Sequence, residues 1–131
     1  MAKTDDRPVD VGLAALKGKD EPSLVEWWKT RFGMIAGIPQ DIARVGALTP
    51  QLRELTRITD DAERRKLTRA RMIAFTQIPA EQQRLVSEAR KKAFTIDPDV
   101  LAKDQQMVEE LMPTLDANVR AAYPTPGGPR T

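Results

Sequence analysis

The chain has 131 residues, 40% of them hydrophobic, and a formal net charge of +2 at pH 7. This length suits one domain that buries most of its apolar surface without disulfides or a structural metal. The chain contains no cysteine and no histidine. Their absence excludes thiolate nucleophiles, disulfides, zinc-finger spacing and imidazole acid–base catalysis.

The first twenty residues predict an extended N-terminal arm. They mix Lys, Asp, Gly and Pro around one brief apolar stretch, VGLAAL at 11–16, which is too short to form a core. The amino terminus lacks the apolar run of a secretory signal. No segment approaches the roughly 20 apolar residues of a membrane span. We therefore expect a cytoplasmic protein, with attachment at the periphery of a membrane complex left open.

The first predicted helix, near 23–36, carries two tryptophans that point in different directions. It begins at a capping box formed by Ser23 and Glu26. Its core face is apolar and consists of Leu24, Val25, Trp28, Phe32 and Ile35. Trp27 projects about 100° away from Trp28, on the same side as Met34. Either a neighbouring helix covers Trp27, or Trp27 and Met34 contact a partner protein or a membrane interface.

Two short helices are predicted next, near 40–47 and 50–58. The break between them is placed at Thr49 and Pro50, because threonine is a good N-cap and proline suits the first helical position. The stretch MIAGIP at 34–39 resembles MIAFTQIP near Pro79. Because the flanking sequences differ, we interpret that resemblance as coincidence.

A helical hairpin is predicted at the centre of the chain, with helices near 61–78 and 80–94 that meet at Pro79. Asp60 is the expected N-cap of its first helix. Met72 and Phe94 lie opposite the apolar faces of their helices. These two side chains therefore either contact a third layer of the fold or are exposed to a partner protein.

The last predicted helix spans 98–122, and Pro113 is a point where it can break. Beyond Tyr123 the sequence PTPGGPRT cannot be helical, so 124–131 is a Pro/Gly-rich tail that serves as a linker or a binding peptide.

One ion pair is predicted inside the core. Arg71 and Asp104 each lie within the apolar stripe of their own helix, where an unpaired charge would be strongly destabilising. We therefore expect them to pair with each other. The alternative partners of Arg71, which are Glu109 and Asp116, lie at or beyond the edge of the last stripe.

The charge is unevenly distributed along the chain. Residues 60–96 contain nine Lys or Arg and five Asp or Glu, whereas residues 97–120 contain two and six. The simplest interpretation is that these two segments dock on each other. The alternative is that the hairpin binds nucleic acid phosphates through its cations, which are Arg64, Arg65, Lys66, Arg69, Arg71, Arg84, Arg90, Lys91 and Lys92.

The sequence thus predicts a single compact all-α domain of five to six short helices over 21–123, with extended N- and C-terminal arms. We expect a non-catalytic interaction or structural subunit of a larger assembly, without cofactor or metal. Its partner is another protein or a multi-subunit complex, and a nucleic-acid-binding protein is the alternative. The expected partner contacts are Trp27, Met34, Met72 and Phe94.

Overall fold

The structure is a computed structural model that describes Leu13 and residues 15–123. Over these residues all the regular secondary structure is helical and there are no strands, which confirms the predicted all-α class. The α-helices are α1 (Glu21–Ala36), α2 (Asp41–Thr56), α3 (Asp61–Gln77), α4 (Ala80–Ile96), α5 (Pro98–Leu111) and α6 (Ala117–Ala122). A 3₁₀ turn, Met112–Thr114, separates the last two. Most of the predicted N-terminal arm and the whole tail 124–131 lie outside the described residues.

The helices pack mainly against their second neighbours in the sequence. α1 packs most extensively against α3, and α2 against α4, while α5 contacts α2, α3 and α4. The first hydrophobic cluster joins α1 to α3 and includes Trp28, Leu67 and Phe75. The second joins α2, α4 and α5 and includes Leu48 and Ala93. Consecutive helices therefore alternate between two packed pairs. The predicted central hairpin is wrong, because α3 and α4 meet at Pro79 but do not pack extensively on each other.

The residues just before α1 contribute to the core. Leu13 and Leu16 are buried in the first cluster, although both lie within the predicted arm. The N-cap of α1 is Asp20, whose carboxylate accepts from the backbone N–H of Ser23 at 3.0 Å. The predicted start at Ser23 is therefore wrong. By contrast, Asp60 caps α3 as expected and accepts from the backbone N–H of Glu63 at 3.1 Å.

Helix α2 is continuous through Pro50, so the two predicted short helices are wrong. Proline cannot donate to the carbonyl four residues earlier, which belongs to Gly46. Gly46 is exposed, so its carbonyl can bond to water. Burial of Val45, Leu48 and Leu52 along one face requires the uninterrupted helix. This packing outweighs the cost of about 3 kcal/mol for an internal proline.

A heptapeptide Ile-x-x-acid-x-x-Arg recurs every 20 residues, at the starts of α2, α3 and α4. Arg44 Nη1 donates to the carbonyl of Ile38 at 2.5 Å, and Arg64 Nη1 donates to that of Ile58 at 2.7 Å. Each arginine, and Arg84 in the third copy, also pairs with the acidic residue three positions earlier. The first two copies therefore tie each helix start to the loop before it.

The predicted last helix is broken near Pro113. Helix α5 ends at Leu111, and the 3₁₀ turn that contains Pro113 redirects the chain into the short α6. Leu115 and Tyr123 are buried in the first cluster. The break therefore returns the end of the described chain to the core, where the Tyr123 ring packs 5.6 Å from that of Phe75.

Candidate interaction surface and buried ion-pair network

The two tryptophans of α1 occupy different environments. Trp28 is fully buried (0% exposed), whereas Trp27 is partly exposed and packs on the margin of the first cluster. Their rings meet edge to face, with centroids 5.0 Å apart and an interplanar angle of 89°. Trp28 thus fixes the position of Trp27 at the surface, since aromatic pairs favour this geometry.

Arg31 lies one turn after Trp27 and covers its ring. The guanidinium carbon is 4.6 Å from the ring centroid, a cation–π contact. Arg31 makes no ion pair with any described residue. Burial lowers its pKa from the ordinary value. Arg31 is therefore a partly desolvated cation that has an aromatic neighbour but no counter-ion in the described chain.

Met34 extends the same line of side chains. It is 56% exposed, one of the most exposed large apolar residues that the structure describes. Trp27, Arg31 and Met34 fall within about 60° of one another around the helix axis. We call these three residues the α1 stripe. It combines a fixed aromatic ring, an unpaired cation and an exposed apolar side chain on one surface.

The other two predicted contact residues do not belong to this surface. Met72 is 0% exposed and lies in the first cluster, so its side chain cannot reach a partner in this structure. That prediction is corrected because α3 contacts α1, α2, α5 and α6 and is enclosed on several faces. Phe94 is partly buried against the second cluster, and the Arg90 guanidinium carbon lies 5.5 Å from its centroid.

The predicted Arg71–Asp104 pair is present and deeply buried. Arg71 Nη1 and Nη2 donate to the two carboxylate oxygens of Asp104, each at 2.8 Å. The side chains are only 5% and 1% exposed. Arg90 Nη2 also donates to Asp104 at 2.6 Å, and its side chain is 18% exposed. Asp104 is therefore the shared acceptor of two arginines, and Arg90 is the one that was not predicted as its partner.

The environment keeps this network charged. Burial would raise the pKa of Asp104, but the charges and hydrogen bonds of Arg71 and Arg90 hold it below its ordinary value. Burial would likewise lower the pKa of Arg71, but Asp104 raises it, with a further hydrogen-bonding contribution from Tyr123. The network thus joins α3, α4 and α5.

Most cations of residues 60–96 have an acidic partner within the chain. Ion pairs involve seven of its nine, which are Arg64, Arg65, Arg69, Arg71, Arg84, Arg90 and Lys92. Arg65 also pairs with Glu110 at 2.8 Å. Together with the Asp104 network, this contact confirms that the basic segment 60–96 docks on the acidic segment 97–120. Lys66 and Lys91 make no ion pair within the described residues.

A cavity of about 330 Å³ lies among α2, α3 and α5. Charged side chains of both signs line it, including Lys103 and Glu110. Arg65 pairs with Asp61 and Glu110, so much of the lining charge is neutralised. Within the described chain, no group of three or more acidic side chains could hold a metal ion. Nor is any helix there long and apolar enough to cross a membrane.

Comparison with protein-family models, curated proteins and solved structures finds no match to this chain. Its candidate site therefore rests on its own geometry. Two features were not foreseen from the sequence, which are the role of Arg31 and the pairing of Arg90 with Asp104. The four-residue spacing from Trp27 to Arg31 could have indicated the first, because side chains at i and i+4 meet on a helix. No local pattern indicates the second, since Arg90 lies on α4 and its partner Asp104 lies on α5.

Proposed function

We propose that this protein is a non-catalytic protein-interaction or structural subunit that binds another protein through α1. The observation that carries this proposal is the α1 stripe. Protein interfaces are enriched in tryptophan, arginine and methionine, and their strongest contacts are often Trp and Arg.

The packing of the stripe favours binding. Trp27 is held against Trp28, and Arg31 lies on Trp27. Little side-chain freedom would be lost when a partner covers these groups, which lowers the entropic cost of association. Covering Met34, which is more than half exposed, would add apolar burial.

Nucleic-acid binding is the less supported alternative. Such binding requires cations that are free to contact phosphates. In this fold seven of the nine cations of residues 60–96 are engaged in ion pairs, and Arg71 is buried. Only Lys66 and Lys91 remain without an ion pair among the described cations of that segment.

Native purification from the source organism tests the proposal. We expect the full chain to co-migrate with another polypeptide at a fixed stoichiometry through successive columns. A chain that migrates alone, and that shifts DNA or RNA with an affinity that falls steeply with salt, would instead support the nucleic-acid alternative.

A further inference from the structure

We propose that the α1 stripe recognises an amphipathic helix of another protein, one that places a carboxylate between two apolar side chains. This inference rests on the proposed function and specifies the partner's chemistry. The carboxylate would pair with Arg31, while the apolar side chains would cover Trp27 and Met34.

The need for a carboxylate follows from Arg31. Its guanidinium is partly buried on the Trp27 ring, yet it has no acidic partner in the described chain. Two other arginines with limited exposure differ, since the buried Arg44 pairs with Asp41 and the partly buried Arg64 with Asp61. Removing water from an unpaired cation is costly, so a partner that covers Arg31 must supply negative charge.

The spacing of the stripe favours a helical partner. Trp27 and Met34 are seven residues apart on one helix, which corresponds to about 10.5 Å along its axis. A partner helix with apolar residues at i and i+7 has the same spacing, and its positions i+3 and i+4 lie on the same face between them. An acidic residue there would meet Arg31. This arrangement is a form of recognition through i, i+3, i+4 and i+7 anchors.

Charge disfavours a second copy of this chain as the occupant. A two-fold dimer built on the stripe would place the same surface patch on both sides of the contact. The Arg31 side chains of the two copies would then lie close together and repel each other. A helix from a different protein avoids this repulsion and provides the missing counter-ion.

The test uses two designed helical peptides and the full chain. Both peptides carry leucines at i and i+7, and they differ only by glutamate or lysine at i+3. Binding of the labelled peptides is measured by fluorescence anisotropy. The glutamate peptide should bind at least about 10-fold more tightly than the lysine peptide, a difference of about 1.4 kcal/mol.

Matched variants locate the contact. Arg31→Glu should reverse the preference between the peptides, and Met34→Gln should weaken binding of both. Lys91→Glu makes the same charge change at an exposed residue of α4 without an ion pair, and it should leave both affinities unchanged. Circular dichroism and the urea midpoint confirm that each variant is folded.

Several results would overturn the inference. They are equal affinities for the two peptides, no saturable binding of the glutamate peptide up to about 1 mM, or a loss of affinity for that peptide in Lys91→Glu as large as in Arg31→Glu. Binding to phosphatidylserine vesicles that Arg31→Glu abolishes, without peptide discrimination, would assign the stripe to a membrane surface instead. If a native protein partner is found but survives Arg31→Glu, this inference fails while the proposed function stands.

Discussion

Removing either member of the buried Arg71–Asp104 pair should destabilise the fold, but the two losses should differ. Asp104 accepts two hydrogen bonds from Arg71 and one from Arg90. Asp104→Ala would therefore leave two guanidiniums without their carboxylate. Arg71→Ala would leave Asp104 still bonded to Arg90. The structure thus makes the aspartate the more costly residue to remove.

The expected magnitudes follow from the burial of the pair. Breaking a buried pair on one side costs about 3–5 kcal/mol. We expect Arg71→Ala near the lower end of that range, because Asp104 keeps one partner, and Asp104→Ala near the upper end. The double variant retains only Arg90, whose 18% exposure gives it access to water. Its loss should fall short of the sum of the single losses by at least about 2 kcal/mol.

Urea denaturation followed by circular dichroism measures these losses. With a slope of about 2 kcal/mol per M, a loss of 3 kcal/mol lowers the midpoint by about 1.5 M. If Asp104→Ala is too unstable to measure, Asp104→Asn allows a milder cycle with Arg71→Ala. Losses that add to within about 0.5 kcal/mol would show that the two side chains do not interact, and would refute this packing of α5 on α3.

Three further predictions concern the same fold. The pKa of Asp104 is held below 3.8 in the folded state. The unfolded chain therefore binds more protons than the folded chain in the acidic range below that value, and stability must fall as the pH falls through this range. Asp104→Asn should flatten the dependence of the urea midpoint on pH, and parallel profiles for the variant and the unmodified chain would contradict this. Gln51 is 0% exposed, and neither polar atom of its amide has a hydrogen-bond partner in the described chain. Gln51→Met should therefore raise the free energy of unfolding by about 1–2 kcal/mol. A lower urea midpoint would mean that the amide is satisfied, for example by buried water. Arg44→Ala removes the contacts that hold the start of α2 and should lower thermal and urea stability by about 1–2 kcal/mol. The control Arg57→Ala, at an exposed arginine, should leave stability unchanged. Equal effects of the two variants would show that Arg44 does not hold the start of α2.

Local chemistry predicted several features of the fold correctly. The Asp60 cap, the turn at Pro79 and the break near Pro113 each depend on a few neighbouring residues. The Arg71–Asp104 pair was also predictable, because two opposite charges within two apolar stripes have one low-cost arrangement. The cap and the two breaks follow from local backbone chemistry. The ion pair follows from helix periodicity and from the cost of burying a charge.

Features that depend on tertiary packing were not predictable in this way. Pro50 favours a helix start locally, but burial of the α2 face carries the helix through it. Met72 lies away from the main stripe of α3, and only the enclosure of α3 by several helices explains its burial. Arg90 was missed because its side chain is 18% exposed, so it lacks the sign of a buried charge that made the Arg71 pair predictable.

Native purification of Arg31→Glu beside the unmodified chain and Lys91→Glu most directly tests the claim that α1 binds a protein partner. The three tagged chains are expressed in the source organism and compared by size-exclusion chromatography with light scattering. The account predicts a stoichiometric complex for the unmodified chain and for Lys91→Glu, and a single free chain for Arg31→Glu. An unmodified chain that elutes with the mass of one free polypeptide would contradict it.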